Sequence, residues 1–127
     1  STETVTAEQI LRTLLALREA PTRGVALVLE LEGQTLGYAL LIAFWSNELG
    51  GEVHMIDEIY VDAQVRGQGH GRALMVDLLS GYSKFGLRQS AAFQLEVSPK
   101  NTRARKLYES LGFIPVRNTH LRWRGST

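Results

Sequence analysis

The sequence of 127 residues contains no cysteine, which excludes disulfide bonds, thiolate nucleophiles and cysteine-ligated zinc. It also lacks a long apolar run, since the longest, Tyr38–Trp45, is far shorter than the roughly 20 residues of a membrane-spanning helix. The formal net charge is only +1, which argues against nucleic acid as a partner. No basic start followed by an apolar stretch opens the chain, so we expect a cytoplasmic protein without a membrane partner.

What is present is typical of an ordinary globular protein, with 44% hydrophobic and 21% charged residues. The length predicts one domain over residues 1–127. Thr6 and Gln9 form a capping-box pattern ahead of the first helix, and Gly33-Gln34 predicts a hairpin turn. The apolar periodicity predicts helices at about 7–19, 69–85 and 101–111, and strands at 25–31, 35–45, 53–61, 91–97, 113–116 and 120–123. This order is that of an α+β domain with one strand–helix–strand crossover.

A glycine-rich segment joins the third predicted strand to the second helix and reads Arg66-Gly67-Gln68-Gly69-His70-Gly71-Arg72. Glycines let a ligand approach the backbone closely, and the free N–H groups at a helix start attract anions. A phosphate cradle is therefore favoured over a merely flexible connection. ATP, GTP and NAD fit poorly, because no Lys-Ser/Thr pair follows and Arg72 stands where the dinucleotide pattern has Gly or Ala.

The spacing of Arg66, Gly69 and Gly71 resembles the acyl-CoA-binding motif of the GCN5-related N-acetyltransferases, the GNAT family. Residues 101–113 resemble the second motif of that family, with Asn101 opening a helix, Tyr108 seven residues on and Leu-Gly-Phe closing it. Residues 56–61 resemble its central strand. The likeness covers about residues 25–124. It implies a twisted, mostly antiparallel sheet, a CoA-binding core at about 53–113 and a C-terminal hairpin at about 113–124.

The resemblance also implies acetyl-CoA as co-substrate, a primary amine as acceptor and direct attack in a ternary complex. The amine could be a small molecule, a protein lysine or an N-terminus. A sensor that binds CoA without turnover is the alternative on the same fold. By this resemblance the expected cofactor-binding residues are the strand end Ile59, Tyr60 and Val61, the loop residues Arg66, Gly67, Gln68, Gly69, His70, Gly71 and Arg72, and Asn101.

Three residues are candidates for the chemistry. The resemblance places Tyr108 near the thioester sulfur as an acid, although a tyrosine on this apolar helix face could also be a core residue. Glu58 and Asp57 are the candidate bases, and the polyamine acetyltransferase branch resembles this stretch in carrying two acids there. Neighbours on a strand point to opposite faces, so at most one faces the cleft easily. Glu58 is favoured, with a solvated carboxylate as the alternative for either.

Some expectations concern the surroundings of the site. Family members usually begin with a strand that is missing or shortened here, so strand 25–31 could be an exposed edge that pairs with a second subunit. Acidic residues suggest a rim that favours a cationic acceptor: Glu48, Glu52, Asp57 and Glu58. The three histidines lack metal-ligand spacing, so no metal is predicted.

Overall fold

The computed structural model describes residues 5–85, 87 and 90–126. In this part of the chain, three α-helices and four strands follow one another in the order α1 (Ala7–Glu19), β1 (Gly24–Leu31), β2 (Gln34–Ser46), β3 (Gly51–Val61), α2 (His70–Gly81), β4 (Ala92–Leu95) and α3 (Thr102–Ser110). The strands form one sheet in the order β1-β2-β3-β4. The first three are antiparallel, and α2 connects β3 to a parallel β4. This arrangement confirms the predicted α+β fold and its central crossover.

Local signals in the sequence set the start of α1 and the first hairpin. The Thr6 hydroxyl oxygen accepts from the Gln9 backbone N–H while the Gln9 side chain accepts from the Thr6 N–H, which is the predicted capping box. The hairpin turn is centred on Glu32 (φ 53°) and Gly33 (φ 78°), one residue earlier than predicted. Two successive positive φ values match the right-handed twist of the flanking strands, and Gly33 supplies one of them without strain.

The main core lies between the sheet and α2. Its buried residues come from β2, β3, α2 and the segment before β4: Ala39, Leu41, Ile56, Met75, Leu78 and Leu87. Tyr108 of α3 and Leu111, the C-cap of that helix, pack against this cluster. The end of the predicted second helix differs, because α2 stops at Gly81 and continues as a 3₁₀ turn over Tyr82–Phe85. Gly86, which the sequence predicts to end this helix, lies outside the described residues.

A β-bulge interrupts β3 in its second half. Leu40 of β2 pairs with Glu58 and Leu41 pairs with Ile56, so Asp57 is an extra residue without a partner across the ladder. The bulge resets the alternation of side chains. Ile56 and Ile59, three residues apart, therefore both reach the core beneath α2.

His54 is the one polar residue among the described residues that is buried, at 2% exposed. Its Nδ1 lies 2.9 Å from Ser90 Oγ, and this hydroxyl donates its own proton to the Ala92 carbonyl oxygen, 3.0 Å from Oγ. The hydroxyl therefore accepts from Nδ1–H. Burial lowers the pKa of His54, and the nearby Glu52 carboxylate offsets part of this effect.

The C-terminal hairpin is not formed. Residues predicted as strands at 113–116 and 120–123 have no sheet pairing, and Leu121 and Trp123 are 92% and 90% exposed. The alternation of apolar residues predicted strands here, but an isolated two-stranded hairpin is marginal in water and Pro115 lacks a backbone donor. The strand predicted at 91–97 is likewise reduced to β4. No helix in the described part of the chain has the length and apolarity to cross a bilayer.

Candidate active site

The second half of β3 has one free edge. β2 pairs with β3 along its whole length, whereas β4 pairs only with Val53–Ile56. The bulge at Asp57 marks the end of the parallel pairing. From there to Val61, the described residues add no strand on the β4 side. The Asp62 N–H donates to the Leu36 carbonyl of β2, so in this register the backbone groups of Tyr60 also face β2, whereas those of Ile59 face the free side. This geometry suits the pantetheine-binding role predicted for the strand end.

The glycine loop ends beside this free edge. Gly67 and Gly69 have φ values of 81° and 82°, a left-handed conformation that glycine adopts without strain. A Cβ added at either would meet no atom within 4 Å. Gly71 lies in the first turn of α2, and a Cβ there would lie 4.0 Å from Val61 Cγ2. The loop therefore has open space next to the end of β3.

The helix start above this space is suited to an anion. Gly69 is the N-cap of α2 and provides no side chain to cap the first N–H groups. These groups carry the positive end of the helix dipole. His70 follows, and its buried Nε2 has no hydrogen-bond partner among the described residues. Gln68 lies exposed in the loop. The residues present fit a CoA pyrophosphate, as the sequence pattern predicts.

The two arginines that flank the loop make contacts within the chain. Arg66 turns back onto β3, where its Nε donates to the Val61 carbonyl at 2.8 Å and its guanidinium lies over the Tyr60 ring, 5.4 Å from the centroid. Arg72 donates from Nη1 to Ser110 Oγ at 2.9 Å and so ties α2 to the end of α3. Both side chains thus stabilise the positions of the elements around the site, Arg66 through β3 and Arg72 through α3. Their predicted contact with phosphate stays a prediction.

The two candidate bases are in different environments. Asp57 is exposed on the bulge, while Glu58 is half-buried and its Oε1 accepts a 2.5 Å hydrogen bond from the Tyr38 hydroxyl. This bond and burial raise the pKa of Tyr38 to about 12. Tyr38 also stacks on Tyr60, with ring centroids 5.6 Å apart. No motif in the sequence indicated Tyr38, because its link to Glu58 depends on the register of two strands.

Tyr108 and Asn101 both belong to α3. The Tyr108 ring is half-buried against the core and meets Phe113 edge-on at 5.9 Å. Burial raises the pKa of Tyr108, so its hydroxyl keeps its proton across the neutral range. The Asn101 side chain accepts from the Ala104 N–H at 3.1 Å and caps the helix. A structural role for Asn101 is therefore shown, whereas its cofactor contact stays a prediction.

The predicted acidic rim is not one cluster. Glu48 lies in the β2–β3 loop and Glu52 at the start of β3, six residues before Glu58. At about 3.3 Å per residue the latter separation is roughly 20 Å. Only Asp57 and Glu58 lie near the free edge. An open cavity of about 1100 Å³ lies at the other end of the sheet, and Trp45, Glu52 and His54 contribute to its lining.

Metal ligands do not gather in the described residues, where no group of three or more His, Asp or Glu side chains could hold an ion. The candidate groups are a hydrogen-bonded carboxylate on β3, a protonated phenol on α3 and the helix start of α2. Glu58 shares a face of the sheet with Leu40, whereas Tyr108 packs against the core cluster on the other face. That combination can bind an anionic cofactor, accept a proton and donate a hydrogen bond.

Comparison with known proteins identifies the class to which this arrangement belongs. The model of the acetyltransferase (GNAT) family matches residues 3–113. The chain therefore belongs to the GNAT family and is an acyl-CoA-dependent N-acetyltransferase. Enzymes of this family use acetyl-CoA as co-substrate. No curated protein sequence matches the chain.

Solved structures share the fold at low sequence identity. One is a possible acetyltransferase from Clostridium difficile 630, with 18% identity, a TM-score of 0.80 and coverage of 98% of this chain and 81% of that one. Another is glucosamine-6-phosphate N-acetyltransferase from Arabidopsis thaliana, with 21% identity, a TM-score of 0.66 and coverage of 97% of this chain and 82% of that one. A third is the aminoglycoside acetyltransferase meta-AAC0020 from an uncultured soil metagenomic sample, with 16% identity, a TM-score of 0.68 and coverage of 99% and 79%. At these identities the likeness shows the fold alone.

Proposed function

We propose that the protein transfers the acetyl group of acetyl-CoA to a primary amine by direct attack in a ternary complex. The observation that carries the proposal is the position of the glycine loop, which places Gly71 beside Val61 at the free edge of β3. A cofactor with its pyrophosphate at the α2 start can then extend its pantetheine arm along this edge, past the backbone of Ile59. Much of the rate enhancement, up to roughly 7–11 kcal/mol, would come from holding both reactants in place.

Glu58 is the proposed base. A lysine-type amine has a pKa of about 10.4 and must lose a proton before it attacks the thioester. Glu58 is half-buried at the free edge and is held by Tyr38, whereas Asp57 is exposed on the bulge. A held carboxylate can take the proton directly or through one water. Asp57 remains the alternative base.

Tyr108 is the proposed acid for the departing thiolate. Its hydroxyl has no hydrogen-bond partner within the described part of the chain, and burial keeps it protonated. A free tyrosine has a pKa of about 10 and a simple thiol about 8.5, so a hydrogen bond to sulfur without full proton transfer is sufficient. The helix cap provided by Asn101 fixes the start of α3 and helps to hold Tyr108, which lies on the same helix, in position for the departing thiolate.

The acceptor is proposed to be a cationic amine, such as a polyamine, an aminoglycoside or a protein lysine. The adjacent carboxylates of Asp57 and Glu58 would attract a positive charge to the free edge. The sequence similarity of this stretch to the polyamine acetyltransferase branch supports the same class. Two proteins with this fold are named for amine-bearing sugars, glucosamine 6-phosphate and aminoglycosides.

A homodimer through the edge of β1 is also proposed. β1 is the first strand of the sheet, and Val28 and Leu31 are 61% and 50% exposed. Unpaired strand edges with apolar side chains are natural pairing surfaces. Light scattering should give twice the chain mass, and Val28→Lys should give the monomer. A monomeric wild-type protein would contradict this part.

The test of the function is release of free thiol from acetyl-CoA in a panel of amines that includes spermidine, an aminoglycoside and a lysine peptide. Amine-dependent thiol release with acetylated product by mass spectrometry is expected. Binding of CoA without turnover across the panel would instead support the sensor. A protein that neither binds CoA nor releases thiol would contradict both.

A further inference from the structure

Tyr38 contacts the proposed base from the neighbouring strand. It lies on β2 opposite Tyr60, and Leu40, two residues on, lies opposite Glu58. The Tyr38 side chain therefore shares a face with Glu58 and reaches it diagonally across the ladder. Its hydroxyl donates to Glu58 Oε1 at 2.5 Å. Within the described residues Glu58 has no salt bridge, so this hydrogen bond is what fixes the carboxylate.

The phenol is itself held from its other side. Tyr60 stacks on the Tyr38 ring at 27° between planes, and the Arg66 guanidinium covers the Tyr60 ring. Arg66 is in turn anchored to the backbone through the Val61 carbonyl. A continuous series of contacts thus runs from the arginine of the glycine loop through Tyr60 and Tyr38 to Glu58.

We propose that Tyr38 is a positioning residue for acetyl transfer, whose hydroxyl occupies Oε1 of Glu58 and leaves Oε2 to receive the proton of the acceptor amine. The inference rests on the proposed function, in which Glu58 is the base. Tyr38 remains a neutral donor over the working range, because its pKa is raised to about 12.

The hydrogen bond fixes the orientation of the Glu58 carboxylate. Tyr38→Phe keeps the ring that stacks on Tyr60 but removes the donor to Oε1. The carboxylate then loses the contact that leaves Oε2 for the acceptor amine. We expect kcat to fall about tenfold, while the affinity for acetyl-CoA stays nearly unchanged.

The experiment measures steady-state kinetics of the full chain for wild type, Tyr38→Phe, Glu58→Gln and the double variant. The carbon-13 signal of the Glu58 carboxyl, assigned with Glu58→Gln, is recorded at one fixed pH. Tyr38→Phe should lower kcat and move this signal at nearly unchanged acetyl-CoA affinity, and it should cause no further loss of kcat in the Glu58→Gln background. Tyr82→Phe removes a hydroxyl outside the site, where its ring contacts Phe93, and should change neither kcat nor the signal.

The outcomes separate the two levels of inference. A Glu58 carboxyl signal that does not move in Tyr38→Phe overturns the positioning role. An unchanged kcat of Tyr38→Phe in an active enzyme, or an equal loss in the Glu58→Gln background, also overturns it and leaves acetyl transfer standing. If wild type acetylates no amine but the carboxyl signal still moves, the hydrogen bond is real and the failure is that of the proposed function, which removes the catalytic meaning of Tyr38.

Discussion

A pair of substitutions in one helix tests the cofactor cradle without straining the backbone. Gly71 and Gly81 both lie in α2, at its start and its end, and neither has a positive φ. A Cβ at Gly71 would lie in ordinary contact with Val61 Cγ2 at 4.0 Å, and one at Gly81 would meet the flexible end of Lys84 at 3.1 Å. Changing either glycine to alanine is therefore expected to leave the fold intact, and alanine favours a helix over glycine by up to about 1 kcal/mol.

The two variants should differ in binding CoA. At Gly71 the new side chain fills the space between α2 and the end of β3, which the pyrophosphate must approach. Losing one hydrogen bond to a charged group costs about 1.5–3 kcal/mol, which is at least tenfold in the dissociation constant. Calorimetric titration with CoA should show this loss for Gly71→Ala, a larger one for Gly71→Val, and none for Gly81→Ala. Wild-type affinity in a folded Gly71→Val would refute the cradle.

Further predictions concern catalysis and stability. Tyr108→Phe should lower kcat by about 10²-fold, the low end for a removed acid, with acetyl-CoA affinity unchanged; an unchanged kcat where chemistry limits the rate would make Tyr108 a core residue. Glu58→Gln should flatten the rise of rate with pH more than Asp57→Asn, and the opposite order would transfer the base to Asp57. Burial lowers the folded-state pKa of His54 below its unfolded value of about 6.5, so below that pH the unfolded chain binds more protons. The free energy of unfolding should therefore have its full value above about pH 6.5 and decrease as the pH falls toward the folded-state pKa of His54. Urea unfolding at several pH values should show this decrease in wild type and a smaller one in His54→Gln.

Features set by neighbouring residues were predictable from the sequence. The capping box at Thr6, the turn at Gly33 to within one residue and the cap at Asn101 each depend on side chains within a few positions of the backbone they satisfy. The glycine loop belongs to the same group, because its left-handed residues need glycine wherever the loop lies in the fold.

Features set by strand register were not predictable. The bulge at Asp57 depends on how β3 fits β2, and it changes which side chains share a face. Tyr38 reaches Glu58 only because of that register, so no motif could have indicated it. The C-terminal hairpin failed for a related reason: alternation shows that a segment could be a strand, but pairing decides whether it is one, and Leu121 and Trp123 have no partner strand.

The most direct test of acetyl transfer is the rate of thiol release from acetyl-CoA on addition of an amine, measured for wild type, Gly71→Val and Gly81→Ala. The account predicts that wild type and Gly81→Ala release thiol only when an amine is present, with one acetylated product formed per thiol. It predicts that Gly71→Val loses this amine-dependent release. Release that is independent of the amine, or that persists in folded Gly71→Val at limiting acetyl-CoA, would contradict it.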